Sequence, residues 1–135
     1  MYRLAVISLV LASASAHVTY QTMIPNGDKV PDPCGNGVWL AVGHYDPLHH
    51  THDKNRFGLD FAAAGHKWTV ALCQKDSDND GKSNGEELGD PTCVWTMGAT
   101  PTRSASSHPG ICNPVGSCIG QSFTCGCHGH NCVGK

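Results

Sequence analysis

Asp76, Asp78 and Asp80 alternate along a short run, Gly81 follows at once, and Glu87 stands seven residues beyond Asp80. Hard oxygen ligands at these intervals match a twelve-position EF-type loop, in which positions 1, 3 and 5 supply carboxylates. A glycine at position 6 makes the sharp turn, and a glutamate at 12 closes the shell with both oxygens. Lys82 at position 7 would offer only its backbone carbonyl, and Asn84 at position 9 would ligate directly or through water. The ion such a set selects is calcium, with Asp76, Asp78, Asp80, Lys82, Asn84 and Glu87 as the candidate metal residues. Six of the eleven carboxylates lie between Asp76 and Asp90, and like charges so close repel unless a cation lies among them. The competing reading is an acidic surface loop.

The loop departs from a sensor's in two places. Ser83 holds position 8, where paired loops are usually apolar, and the exit helix Glu86-Glu87-Leu88 meets Gly89 and Pro91, which stop a helix. A lone loop with so short an exit predicts a structural extracellular site, with dissociation constants of about 10⁻⁴ to 10⁻³ M. Calcium at about ten times that constant would add roughly 1.4 kcal/mol.

Nine histidines offer a second chemistry. His44, His49, His50 and His52 form one group and His128 with His130 another, while His66 and His108 stand alone; neutral imidazoles take copper or zinc. A solvated loop that binds such ions adventitiously is the simpler account of the first group. If the chain is cleaved after Ala16, His17 gains a free α-amino group, half of a copper-chelating histidine brace. His44, His66 or His108 would have to complete it. No H-E-x-x-H or C-x-x-C-H motif is present, and no hydrolytic or haem-attachment constellation stands out.

The elements that must hold these groups are short. Arg3, the apolar stretch Leu4 to Ala12 and Ala14-Ser15-Ala16 read as a secretory leader over 1–16. No later segment approaches the roughly 20 apolar residues that span a bilayer, so no membrane insertion is expected. The net charge of −2 and the lack of a basic run give no reason to expect nucleic acid. No N-x-S/T sequon occurs.

All eight cysteines, Cys34, Cys73, Cys93, Cys112, Cys118, Cys125, Cys127 and Cys132, follow the leader. An even number in a small secreted chain implies disulfides, four here. A zinc or redox protein is the alternative, but the chain has no C-x-x-C pair. Many pairings are open. Cys73 and Cys93 flank the acidic loop, and a bridge between them would close about 20 residues and contribute on the order of 3 kcal/mol.

Pro25-Asn26-Gly27, Pro31-Asp32-Pro33 and Gly35-Asn36-Gly37 leave room only for short extended pieces such as Val38 to Val42. Phe57, Phe61, Ala64, Trp68 and Leu72 recur at helical spacing, with Gly65 expected to kink or divide the helix. Its second half, Lys67 to Lys75, would lead into the loop. The expected architecture is a small, disulfide-rich, loop-rich α+β fold with short helices around one EF-like calcium loop and short strands. It divides into leader 1–16, a domain over 17–100 carrying the loop at 76–87, and a cysteine-rich tail over 101–135.

Particular segments match a known family. Tyr20 to Gly27, Pro33-Cys34-Gly35, Val42-Gly43-His44, Arg56 to Thr69, Leu72-Cys73, Asp76 to Pro91, Cys93 to Thr96 and His108-Pro109-Gly110 resemble the temptin family of secreted, water-borne mollusc pheromone proteins. The resemblance runs from about Tyr20 to Cys112. It implies a secreted, disulfide-bonded, non-enzymatic protein with some likeness to epidermal-growth-factor modules, acting with other secreted proteins or a cell-surface receptor. Two regions depart from it. Tyr45 to Asn55 is rich in histidine where a glycine-rich loop is expected, and the tail has the Cys125-x-Cys127 step of a growth-factor module but a short final spacing to Cys132. The function so implied is an extracellular signalling or interaction protein bound to calcium; the alternatives are a copper redox enzyme built on His17 and a structural matrix protein.

Overall fold

The computed structural model describes residues 20–49, 53–118, 123 and 125. The leader, His17, the histidines at 50, 52, 128 and 130, and Cys127 and Cys132 lie outside them.

Three short helices are described: α1, Arg56–Ala63; α2, Val70–Gln74; and α3, Asn84–Leu88. Asn55 starts α1 by accepting a hydrogen bond from Gly58 N at 2.9 Å, which satisfies an amide that has no partner within the helix. The same side chain donates to Val42 O at 2.7 Å and His44 O at 2.8 Å, so this fully buried asparagine ties the helix to the preceding loop. The single helical face read over 57–72 is real but divided. Gly65 and His66 both take positive φ, +75° and +58°, and the chain re-enters a helix only after Thr69 caps Leu72 N at 3.0 Å. The segment expected to be helical from Lys67 therefore starts at Val70.

That face builds the main core. Phe57, Phe61 and Leu72 are buried with Ile24, Val30, Val42 and Leu88, while Ala64 and Trp68 pack against them. A second cluster joins Trp39, Tyr45, Ile111 and Phe123. Between the clusters the backbones cross at Gly43 and Gly58, where a Cβ on Gly58 would collide with Gly43 O.

The strands expected over Val38–Val42 and its neighbours are not formed among the described residues. Among the described residues only two isolated bridges occur, Pro31 with Val38 and His44 with Lys54. Over Val38–Val42, Trp39 N bonds Val30 O at 2.8 Å, but Leu40 N and Ala41 N both converge on Pro47 O. Alternating exposure is present at Val38, Trp39, Leu40 and Ala41, yet the partner is a loop curling back rather than a second strand. The architecture is thus short helices and turns, with almost no β-structure, rather than α+β.

Among the described residues two disulfides staple it, Cys73–Cys93 across 20 residues and Cys34–Cys125 across 91. Residues 102–107 are laced to the end of α3: Thr102 Oγ1 donates to Gly89 O at 3.2 Å, Arg103 N to Gly89 O at 3.2 Å and Ser106 N to Glu87 O at 2.8 Å. No described helix is long and apolar enough to cross a membrane.

Candidate metal centre

The acidic loop runs from the end of α2 into α3. Asp76 folds it: its carboxylate accepts from Asp80 N at 3.2 Å and Gly81 N at 2.8 Å, and Gly81 turns the chain at φ +90°. Asp80 then accepts from Lys82 N at 2.9 Å. Alternate side chains in this turn point the same way, and carboxylate oxygens of Asp76, Asp78 and Asp80 all lie within 4.8 Å of one another.

Glu87 joins from α3. Ser83 caps that helix by accepting from Glu86 N at 3.1 Å, and the register sets Glu87 fully buried against the loop. Its Oε1 accepts from Ser107 Oγ at 3.0 Å. Its Oε2 and both carboxylate oxygens of Asp78 are buried with no hydrogen-bond donor.

Such oxygens are costly to desolvate without a donor or a cation. The electrostatics agree. Burial first, then the charge of Asp80 and contacts to Asp80 and Asp76, push the Asp78 carboxyl up to about 9. Burial and then the Asp80 and Asp78 carboxylates push Glu87 up to about 10. Asp80 moves the other way: burial opposes its ionisation, but contacts to Glu87, Lys82 N, Asp78 and Asp76 more than offset this and lower it. Two acceptors can face each other at this range only with a proton or a cation between them, so the metal-free cluster holds protons at neutral pH. The all-oxygen, multiply anionic donor set fits a hard divalent cation and no soft one.

Of the six residues singled out for metal, the structure brings the carboxylates of Asp76, Asp78 and Asp80 together, and Glu87 meets that group through Asp80. Lys82 is exposed, and its side chain takes no part; its backbone amide closes the turn. Asn84 is placed differently. Its fully buried amide donates to Leu72 O and Ser77 Oγ, both at 2.9 Å, and accepts from Ser77 N at 3.3 Å, so it braces the loop against α2.

Several supports gave no signal in the sequence spacing. Ser107 reaches Glu87 from 20 residues downstream. Ser77 Oγ donates to Asp60 at 2.7 Å, and Lys75 pairs with the same carboxylate at 3.1 Å. Asp90, counted with the acidic run, is buried outside the cluster and accepts from Val94 N, Trp95 N and Trp68 Nε1 at 3.0, 3.1 and 2.9 Å. Behind the cluster the Cys73–Cys93 bridge packs on α3 so closely that a Cβ on Gly85 would strike Cys73 Sγ.

The copper candidates separate. His44 and His66 line one apolar depression of about 60 Å³ together with Tyr20, Leu40, Phe57 and Phe61. His66 stacks on Tyr20 at 4.9 Å between ring centroids. His108 lies elsewhere, fully buried and edge-on to Trp39 at 4.9 Å, with Nδ1 accepting from Gly110 N at 3.0 Å. Burial holds its imidazole down to about 3. It is a neutral core residue, away from the depression that His44 and His66 line.

A small disulfide-bonded body of short helices, closed around a knot of carboxylates, defines the class. The chain belongs to the temptin family, whose C-terminal profile matches residues 14–111. It is similar to Temptin of Aplysia californica, with 50% identity over 114 residues that cover 83% of this chain and 90% of that protein. No solved structure matches it.

Proposed function

We propose that this chain is a secreted, calcium-binding temptin-like protein that acts outside the cell as a water-borne signal or interaction protein, presenting a rigid surface to other secreted proteins or a receptor. Binding rather than catalysis is its chemistry. The observation that carries the calcium half is the cluster of Asp76, Asp78 and Asp80, joined by Glu87 at Asp80, with three buried oxygens lacking any donor. A cation there would satisfy those oxygens and displace the protons that burial forces onto Asp78 and Glu87. Lys82 would add its carbonyl, and Asn84 would hold the loop rather than the ion.

Membership of the temptin family supports the signalling half, and a disulfide-bonded chain with a leader-like beginning supports secretion. Calorimetric titration of chelator-treated protein with calcium tests the site. Binding that vanishes in Asp78→Asn/Glu87→Gln is the expected result, and equal heats in both proteins would overturn it. Attraction assays with the purified protein, alone and with co-secreted proteins, test the role; inactivity in both would favour a matrix function. The placement of His44 and His66 on one depression, with Tyr20 three residues from His17, supports copper as a second reading. Electron paramagnetic resonance of the copper-loaded mature protein would show a nitrogen-rich signal, absent from an N-terminally extended form, only if that reading holds.

A further inference from the structure

Cys112 and Cys118 are thiols in this structure. They are six positions apart, and the turn between them folds the chain back on itself. Ser117 N and Ser117 Oγ both donate to Pro114 O, at 3.1 and 2.6 Å. That hairpin delivers Cys118 N to 3.1 Å from Cys112 Sγ. With an N–Cα bond of about 1.46 Å, the Cα of Cys118 is no more than about 4.6 Å from the Cys112 sulfur. That distance is within reach of the Cys118 side chain, so the turn as folded can bring the two sulfurs together. Cys112 is fully buried in the segment that carries Ile111, and Cys118 is half-buried.

We propose that Cys112 and Cys118 are the third disulfide of the mature protein, closing the 112–118 turn beside the Trp39 cluster. The two bridges already present require an oxidising compartment, and the same oxidant serves here: the disulfide of a carrier dithiol protein. The Cys112 thiolate, favoured because burial and the neighbouring Cys112 push the Cys118 thiol up to about 12, attacks that disulfide and displaces one carrier thiolate, giving a mixed disulfide. Cys118 then gives its proton to the displaced carrier thiolate and attacks Sγ of Cys112, releasing the second carrier thiolate. Two electrons and two protons pass from the pair of cysteines to the carrier, which leaves as a dithiol. Burial opposes ionisation of Cys112, but hydrogen bonds from Cys118, Ser117 and the Gly116 backbone more than offset it, as suits the attacking sulfur. The pairing leaves Cys127 and Cys132 as the two cysteines still to be matched, and it stands independently of calcium.

The test is a disulfide map of the full chain secreted from cells, alkylated on harvest, and cleaved without reduction at low pH. Because no Lys or Arg lies between the two cysteines, cleavage before Val115 by thermolysin separates them. A Cys112 peptide joined to a Cys118 peptide, lighter by two hydrogens than the sum of the reduced pieces, is expected. Either cysteine joined to Cys127 or Cys132, or both recovered alkylated, would overturn the pairing. Cys118→Ser gives an independent reading: one additional alkylatable thiol, at Cys112 and only in denaturant, with the other bridges intact. No new thiol in that variant would also overturn it.

Discussion

Glu87 and Asp78 set the pH behaviour of the metal-free protein. Their folded-state values, about 10 and about 9, lie above the ordinary 4.5 and 3.8, so the folded chain holds protons that the unfolded chain releases. The resulting stability is fully present below about pH 4 and drains away as pH rises towards 9 to 10. Melting in chelator should therefore weaken across that window, and calcium should flatten the trend. Calcium binding at pH 7 should also expel protons, seen as a binding enthalpy that changes with the buffer's ionisation heat. In Asp78→Asn/Glu87→Gln, the roughly 3 kcal/mol that calcium at about a hundred times its dissociation constant adds should disappear, while the chelator melt improves. His108 acts in the opposite direction. Its folded value of about 3 is below the ordinary 6.5, so its contribution is complete above about pH 6.5 and is lost as pH falls towards 3. The calcium-loaded protein should lose stability through that acid window by urea melts, less steeply in His108→Gln.

At the scale of elements, α1 is held by contacts that admit little change. Asn55 makes three buried hydrogen bonds, to Gly58 N, Val42 O and His44 O. Asn55→Ala removes a cap and orphans two carbonyls, at a cost of about 3 kcal/mol. Gly58→Ala drives a methyl into Gly43 O and should cost about 2 kcal/mol or more, since both partners are backbone. Urea titration checks both. The helical face from Phe57 to Leu72 was legible in the sequence because every third or fourth apolar side chain enters one core. Its division was only half legible: Gly65 marked the place, but the second left-handed residue, His66, which stacks on the distant Tyr20, gave no sign in the spacing. The strand expected over Val38–Val42 failed because alternation reports which side chains are buried and says nothing about what pairs the backbone.

Across the whole molecule, the two bridges divide the labour. Cys73–Cys93 ties the end of α2 to the turn beyond α3, around the carboxylates, and Cys34–Cys125 joins the first loops to the tail. In the loop-entropy model the shorter is worth about 3 kcal/mol and the longer between about 4 and 5. Replacing each pair with serine should show that order in urea midpoints. Only the Cys73/Cys93 replacement should also weaken calcium binding, because that bridge packs directly on Gly85 of the helix bearing Glu87.

The acidic turn, its glycine and the helical face could all be read from spacing, because a tight loop and a helix are local objects whose geometry follows from neighbours in sequence. Family membership was legible for the same reason, in runs of contiguous residues. What the chain order could not settle was which polar groups meet across long separations. Ser107 on Glu87, Asn84 turned inward to Leu72, Asp90 spent on Trp68 and the turn after it, and His108 sealed against Trp39 each depend on two distant segments arriving together. Those meetings are chosen by how the two apolar clusters pack, and packing is a property of the folded chain as a whole.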